Sequence, residues 1–210
     1  MPLALHWAAA SLLTAVTYVV AGVLALTLAV PPGFASPLYP AAGVALSALL
    51  IFGRSAWPGV LLGAFSVNLS VGGGFHSLTL AALAMPAVIS VGATLQALTG
   101  HALIKRFVRQ PLELAEPRDV LNFLAASTAS CLVSPAVANL ALWLSGTIPA
   151  AAVPFSAVTW WIGDVLGVLI VTPILLTLLG HPRAAWAPRR LSVGLSLALV
   201  TALLTLGILQ

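Results

Sequence analysis

A chain of 210 residues, 61% apolar and 6% charged with a mean hydropathy of +1.14, lies far outside the globular norm of about 25% charged residues. Its eight Lys+Arg and four Asp+Glu cannot solvate the outside of a folded domain this size, so soluble enzymes, nucleic-acid binders and disordered tails are excluded. What remains is a membrane chain whose formal net charge of +4 matters by where it falls.

Apolar runs divided by Pro, Gly and Arg predict an all-α, polytopic membrane bundle of seven helices at 6–30, 38–53, 57–71, 77–107, 118–146, 155–180 and 191–209. A helix needs about 20 residues to cross a hydrocarbon core of roughly 30 Å. The second and third runs are therefore short, and the fourth and fifth are long enough to tilt, kink or project. The first run carries no Lys or Arg before it and is too long for a signal-peptide core, so it reads as a span.

The basic residues follow one parity. Arg54 lies in the second gap, Lys105, Arg106, Arg109 and Arg118 around the fourth, and Arg183, Arg189 and Arg190 in the sixth, while the odd gaps hold none. By the positive-inside rule the N-terminus and the even gaps are cytoplasmic. The seventh helix would then end outside. Residues 1–210 are accordingly expected to be a single integral membrane domain cut before a last inward crossing and any cytoplasmic output domain.

Glu113, Glu116 and Asp119 share the fourth gap with the basic residues and read as a solvated linker. Asp164 is different. It lies in Trp160-Trp161-Ile162-Gly163-Asp164-Val165-Leu166-Gly167, about 10 Å inside the sixth helix if the tryptophans mark the outer interface. Insertion scales charge roughly 2.5 to 3.5 kcal/mol for Asp at a helix centre, so such a carboxyl faces protein, water or a ligand. Two readings stay open, a structural bond between helices and a ligand or signalling group. Gly163 and Gly167 form a small-residue pair that would bring another backbone close.

Asn68 and Asn139, on the third and fifth helices, fall at a similar outer depth, with His76 in the neighbouring outer loop. Together with Asp164 they could line a polar chamber open to the outside. Gln96 sits deeper in the fourth helix, where an interhelical hydrogen bond is its plain reading, and His101 reads as an interfacial histidine. Pro86, Pro135 and Pro173 each remove a backbone donor inside a span and are expected kinks. Trp160 and Trp161 read first as interfacial anchors.

A lone cysteine, Cys131, and four scattered histidines offer no intramolecular disulfide and no metal-ligand spacing. No nucleotide-binding or nucleophile motif is present. The expectation is a protein without catalytic residues, metal or cofactor.

Several blocks resemble a known family: Leu38-Tyr39-Pro40-Ala41-Ala42-Gly43-Val44, then Trp57-Pro58-Gly59-Val60-Leu61-Leu62-Gly63-Ala64-Phe65 with Asn68, then 160–168 followed by Thr172-Pro173. From about Leu38 to Leu179 the chain resembles the membrane-associated sensor family, type one. Gly92 to Ala97 looks like a further block, with Gln96 where a more acidic or Asn-containing version is expected. The resemblance implies an eight-helix input domain preceding a histidine kinase or a cyclic-di-GMP enzyme. It supplies no ligand.

The leading expectation is therefore a sensory input module, with Asp164, Asn139, Asn68, Gln96, Trp160 and Trp161 as ligand or signalling candidates. Its partners would be the bilayer, a small-molecule or membrane-protein stimulus, an attached or associated cytoplasmic signalling domain and a second copy in a homodimer, with no nucleic acid. Two alternatives stand beside it. One is a small transporter or channel using Asp164, and the other is a ligand-free docking module for another membrane protein.

Overall fold

The computed structural model describes residues 3–27, 36–71, 79–110, 112, 114, 116–179, 195, 196, 199 and 200. The described part is all-α. Helix α1 runs over Leu3–Leu26, α2 over Pro40–Phe52, α3 over Trp57–Val71 and α4 over Leu80–Phe107, followed by α5 (Pro117–Ser130), α6 (Val133–Leu144) and α7 (Val153–Leu179).

Local chemistry sets the boundaries. Pro40 opens α2 at a first-turn position where its missing N–H costs nothing, and Gly53, with φ of 84°, ends it in a conformation that favours glycine. A single 3-10 turn, Arg54–Ala56, leads straight into α3. Thr79 caps α4 by accepting from the Ala82 N–H at 3.3 Å, and Lys105 and Arg106 occupy the last turn of that helix, where cations suit its dipole. Past α4, Asp119 Oδ1 accepts from the Arg109 N–H at 3.4 Å and Asn122 donates to the Phe107 carbonyl at 2.8 Å, anchoring the turn into α5.

Each of the first six predicted runs is helical, with one interruption. The fifth divides at Cys131–Leu132 into α5 and α6, one turn before Pro135, whose ring crowds the Cys131 carbonyl and offers it no donor. By contrast α4 and α7 continue as unbroken helix through Pro86 and Pro173. After each proline the side chain four residues on donates to the proline's own carbonyl: Ser90 at 2.8 Å, Asn139 at 2.9 Å and Thr177 at 2.8 Å.

Among the described residues four helical segments are long and apolar enough to cross a membrane: Trp7–Leu26, Ala82–Phe107, Pro117–Leu144 and Ala150–Leu179. Helices α2 and α3, with 13 and 15 residues, are too short for a full crossing. The expected seventh span at 191–209 lies outside the described residues, apart from helical positions 195, 196, 199 and 200.

Helix α2 is the centre of the bundle, packed against α1, α4 and α7, and it is buried without a break from Ala41 to Leu49. An all-round apolar sequence permits that, since no polar face needs an outlet. Small residues set the close crossings: a Cβ on Gly59 would strike the Ser11 carbonyl where α1 crosses α3, and one on Gly43 would strike the Gly167 carbonyl where α2 crosses α7. The outer faces carry exposed aliphatics such as Leu12, Leu24 and Leu144, the surface a lipid environment suits.

Candidate functional site

On α7, Gly163 and Gly167 stand four residues apart and so share one helix face. The chain entering α2 lies on that face, where a Cβ at Gly163 would strike the Ser36 carbonyl and one at Gly167 the Tyr39 carbonyl. The Tyr39 N–H donates to the Gly163 carbonyl at 3.0 Å, and Thr172 donates its hydroxyl to the Gly43 carbonyl at 3.3 Å. This clamp fixes the rotation of α7 and with it the direction of Asp164, which is 2% exposed.

The carboxylate meets α4. Gln96 Nε2 donates to Asp164 Oδ2 at 3.0 Å, while Gln96 Oε1 accepts from the Ser134 N–H at 3.2 Å. Ser134 lies in the first turn of α6, where backbone N–H groups lack partners within their own helix. One amide therefore serves two groups from different helices, the acid of α7 and an N–H left over at the interruption before α6. Both ends of Gln96 are used, as burial requires.

Tyr18, Tyr39, Ser130, Val168 and Ala42 close the space around this pair, leaving a cavity with room for about one water molecule. The two phenol rings meet edge to face with centroids 6.3 Å apart. A second small cavity shares Tyr18, Tyr39, Ala93 and Ser134 with the first and extends to Asn68, Ser36 and Trp160. Chemically the site can hold a water or pass a proton between a carboxyl and hydroxyl groups. As it stands, an organic ligand would have to move helices to enter.

The profile of the MASE1 family matches residues 9–210. The chain belongs to the MASE1 family. MASE1 is a membrane sensory input domain, which agrees with the all-α membrane architecture. No curated protein and no solved structure matches the chain.

This MASE1 domain brings some of the sequence candidates together and separates others. Asp164 and Gln96 are in direct contact. Leu166 is the middle residue of α7 (Val153–Leu179), and Asp164 precedes it by two, which puts the acid roughly 16 Å from the helix start. Trp160 and Trp161 lie two turns inside α7. Trp160 is 8% exposed and lines the second cavity, and the Trp161 Nε1–H donates to the Thr128 carbonyl at 3.2 Å.

Asn68 donates to the Ala64 carbonyl at 2.8 Å and reaches the site only as a wall of the second cavity. Asn139 does not join it, since its amide is bound to the Pro135 carbonyl and its buried Oδ1 has no partner. Two small cavities lie around these residues, and Gln96, not Asn139, is the bonded partner of Asp164. His76 lies outside the described residues. Among those residues no three His, Cys, Asp or Glu side chains converge as metal ligands. Tyr18, Tyr39 and Ser134 were not singled out from sequence; the available signal was that Tyr18 and Tyr39 are the chain's two tyrosines.

Proposed function

We propose that this MASE1 domain is the input module of a bacterial signal transduction protein, in which a stimulus shifts the bundle between two packings and passes that shift to a cytoplasmic output domain. A histidine kinase or a cyclic-di-GMP enzyme is the output the family resemblance implies. The observation that carries the reading is the buried chain from Asp164 through Gln96 to Ser134, which joins α7, α4 and α6 beside the interruption at Cys131–Leu132. A polar junction inside an apolar bundle costs insertion energy that packing alone does not demand.

The energy scale supports a switch. An interhelical hydrogen bond in a membrane is worth about 0.6 kcal/mol on average and up to about 1.7. Useful coupling between a stimulus and an output needs about 1 to 3 kcal/mol. Exchanging one or two such bonds between packings supplies that range, provided the stimulus, a small molecule or a membrane protein, binds one packing better than the other.

In this reading the N-terminus and the α2–α3 and α4–α5 corners face the cytoplasm of a cell bounded by an inner membrane. Arg54 lines one groove with Leu95 and Leu98, which precede Lys105 on α4, and this supports those two corners lying on one side. Asp164→Asn and Asp164→Ala, introduced into the protein with its output domain, test the reading. Phosphotransfer or cyclic-di-GMP level is expected to shift about fivefold or more in basal value or in response, the equivalent of about 1 kcal/mol. A wild-type response at wild-type membrane abundance removes Asp164 from the switch.

A further inference from the structure

Away from the Asp164 cavity, the surface between α3 and α4 opens into a groove of about 520 Å³ lined by Arg54, Ser55, Trp57, Leu61, Val91, Thr94, Leu95 and Leu98. Val91, Leu95 and Leu98 recur at helical spacing along one stripe of α4, and the same stripe reaches Lys105 two turns beyond Leu98. The floor of the groove is apolar, and its polar residue Thr94 is already bonded to the Ser90 carbonyl at 2.8 Å. Polarity is confined to one end, where Arg54 is exposed on its 3-10 turn and Trp57 stands beside it, 44% exposed.

That end is cationic and uncompensated. Among the described residues the ion pair present is Arg109 with Glu116, so neither Arg54 nor Lys105 is paired with a carboxylate. Arg54 lines the groove beside α4, and Lys105 follows on the α4 stripe that floors it, which makes one basic corner from two helices. The groove therefore has the polarity of a phospholipid: a hydrocarbon slot some 10 Å long, from Val91 to Leu98, that ends at fixed positive charge and an indole. A neutral chain would use the slot and leave the corner idle. An anionic headgroup uses both.

We propose that the α3–α4 groove is a binding site for an anionic phospholipid, with one acyl chain along Val91, Leu95 and Leu98 and the phosphate at Arg54 and Lys105. The site is independent of the signalling reading, because it rests on the groove and not on Asp164. A basic residue near an anionic membrane surface contributes about 1 kcal/mol, so each of the two adds about fivefold to the preference for an anionic over a zwitterionic lipid.

Trp57 reports on the groove directly. The full chain is reconstituted in phosphatidylcholine vesicles containing increasing fractions of phosphatidylglycerol brominated on its acyl chains, or of brominated phosphatidylcholine in a matched series. The difference between wild type and Trp57→Phe isolates the Trp57 emission. Brominated phosphatidylglycerol is expected to quench that emission at a mole fraction at least about fivefold lower than brominated phosphatidylcholine. Arg54→Gln is expected to cut the preference about fivefold, while Arg54→Lys keeps most of it. Equal quenching of Trp57 by the two lipids, or a preference unchanged in Arg54→Gln, overturns the proposal. Circular dichroism of each variant verifies the fold, and if Arg54→Gln does not fold, Lys105→Gln carries the same expected loss.

Discussion

Replacing Gln96 by leucine leaves the volume nearly unchanged and strands two buried groups, Asp164 Oδ2 and the Ser134 N–H, which now accept and donate at 3.0 and 3.2 Å. At about 0.6 to 1.7 kcal/mol per interhelical bond in a membrane, the loss is about 1 to 3.5 kcal/mol. Asp164→Val strands only the Gln96 amide and removes a carboxyl that is costly to bury, so it is expected to be milder. In the double variant Asp164→Val with Gln96→Leu, only the Ser134 N–H remains without a partner. The two substitutions together should therefore cost less than their sum by the worth of the bond between them, about 0.6 to 1.7 kcal/mol. Equilibrium unfolding in mixed micelles, followed by circular dichroism for the four members of the cycle, measures this term. Additivity within about 0.3 kcal/mol would refute the claim that the two side chains are partners in the folded bundle.

Other outcomes follow from the same packing. Gly167→Ala drives a methyl group into the Tyr39 carbonyl and is expected to cost about 1 to 3 kcal/mol in the same unfolding assay. Gly53→Ala meets no atom within 4 Å but must hold φ at 84° and ψ at 176°, so its cost is expected at about 1 to 3 kcal/mol from strain alone, read in the same assay. Cys131 is fully buried and should resist a maleimide reagent in the folded, detergent-solubilised chain and react after denaturation, as read by mass spectrometry. Glu116→Gln removes the exposed ion pair with Arg109 and is expected to change stability by less than about 1 kcal/mol.

Much of the architecture was legible because a membrane leaves few ways to satisfy a backbone, and apolar runs with prolines and glycines between them mark helices plainly. Asp164 was legible for the same reason, as a charge where the surroundings tolerate none. Its partner was not. Helices α4 and α7 are apolar nearly all round, so their patterns say little about which way either is turned, and the contact between Gln96 and Asp164 depends on that rotation. The environment of Trp160 was not legible either: its burial against the second cavity depends on the same rotation of α7. The break in the fifth run was signalled by Pro135, but sequence alone does not distinguish it from Pro86 and Pro173, through which helix continues.

The caged position of α2 has a consequence for how the protein is made. Thirteen apolar residues are too few to hold a place in the bilayer alone, and the bed on which this helix rests, Gly163 to Thr172, is synthesised more than a hundred residues later. Until α7 is made, α2 has its α1 and α4 neighbours, and the face that α7 covers has no partner from that helix. Assembly of the bundle is thereby tied to completion of its C-terminal half. A nascent chain arrested before that point would offer quality-control proteases a loose segment that the finished protein conceals.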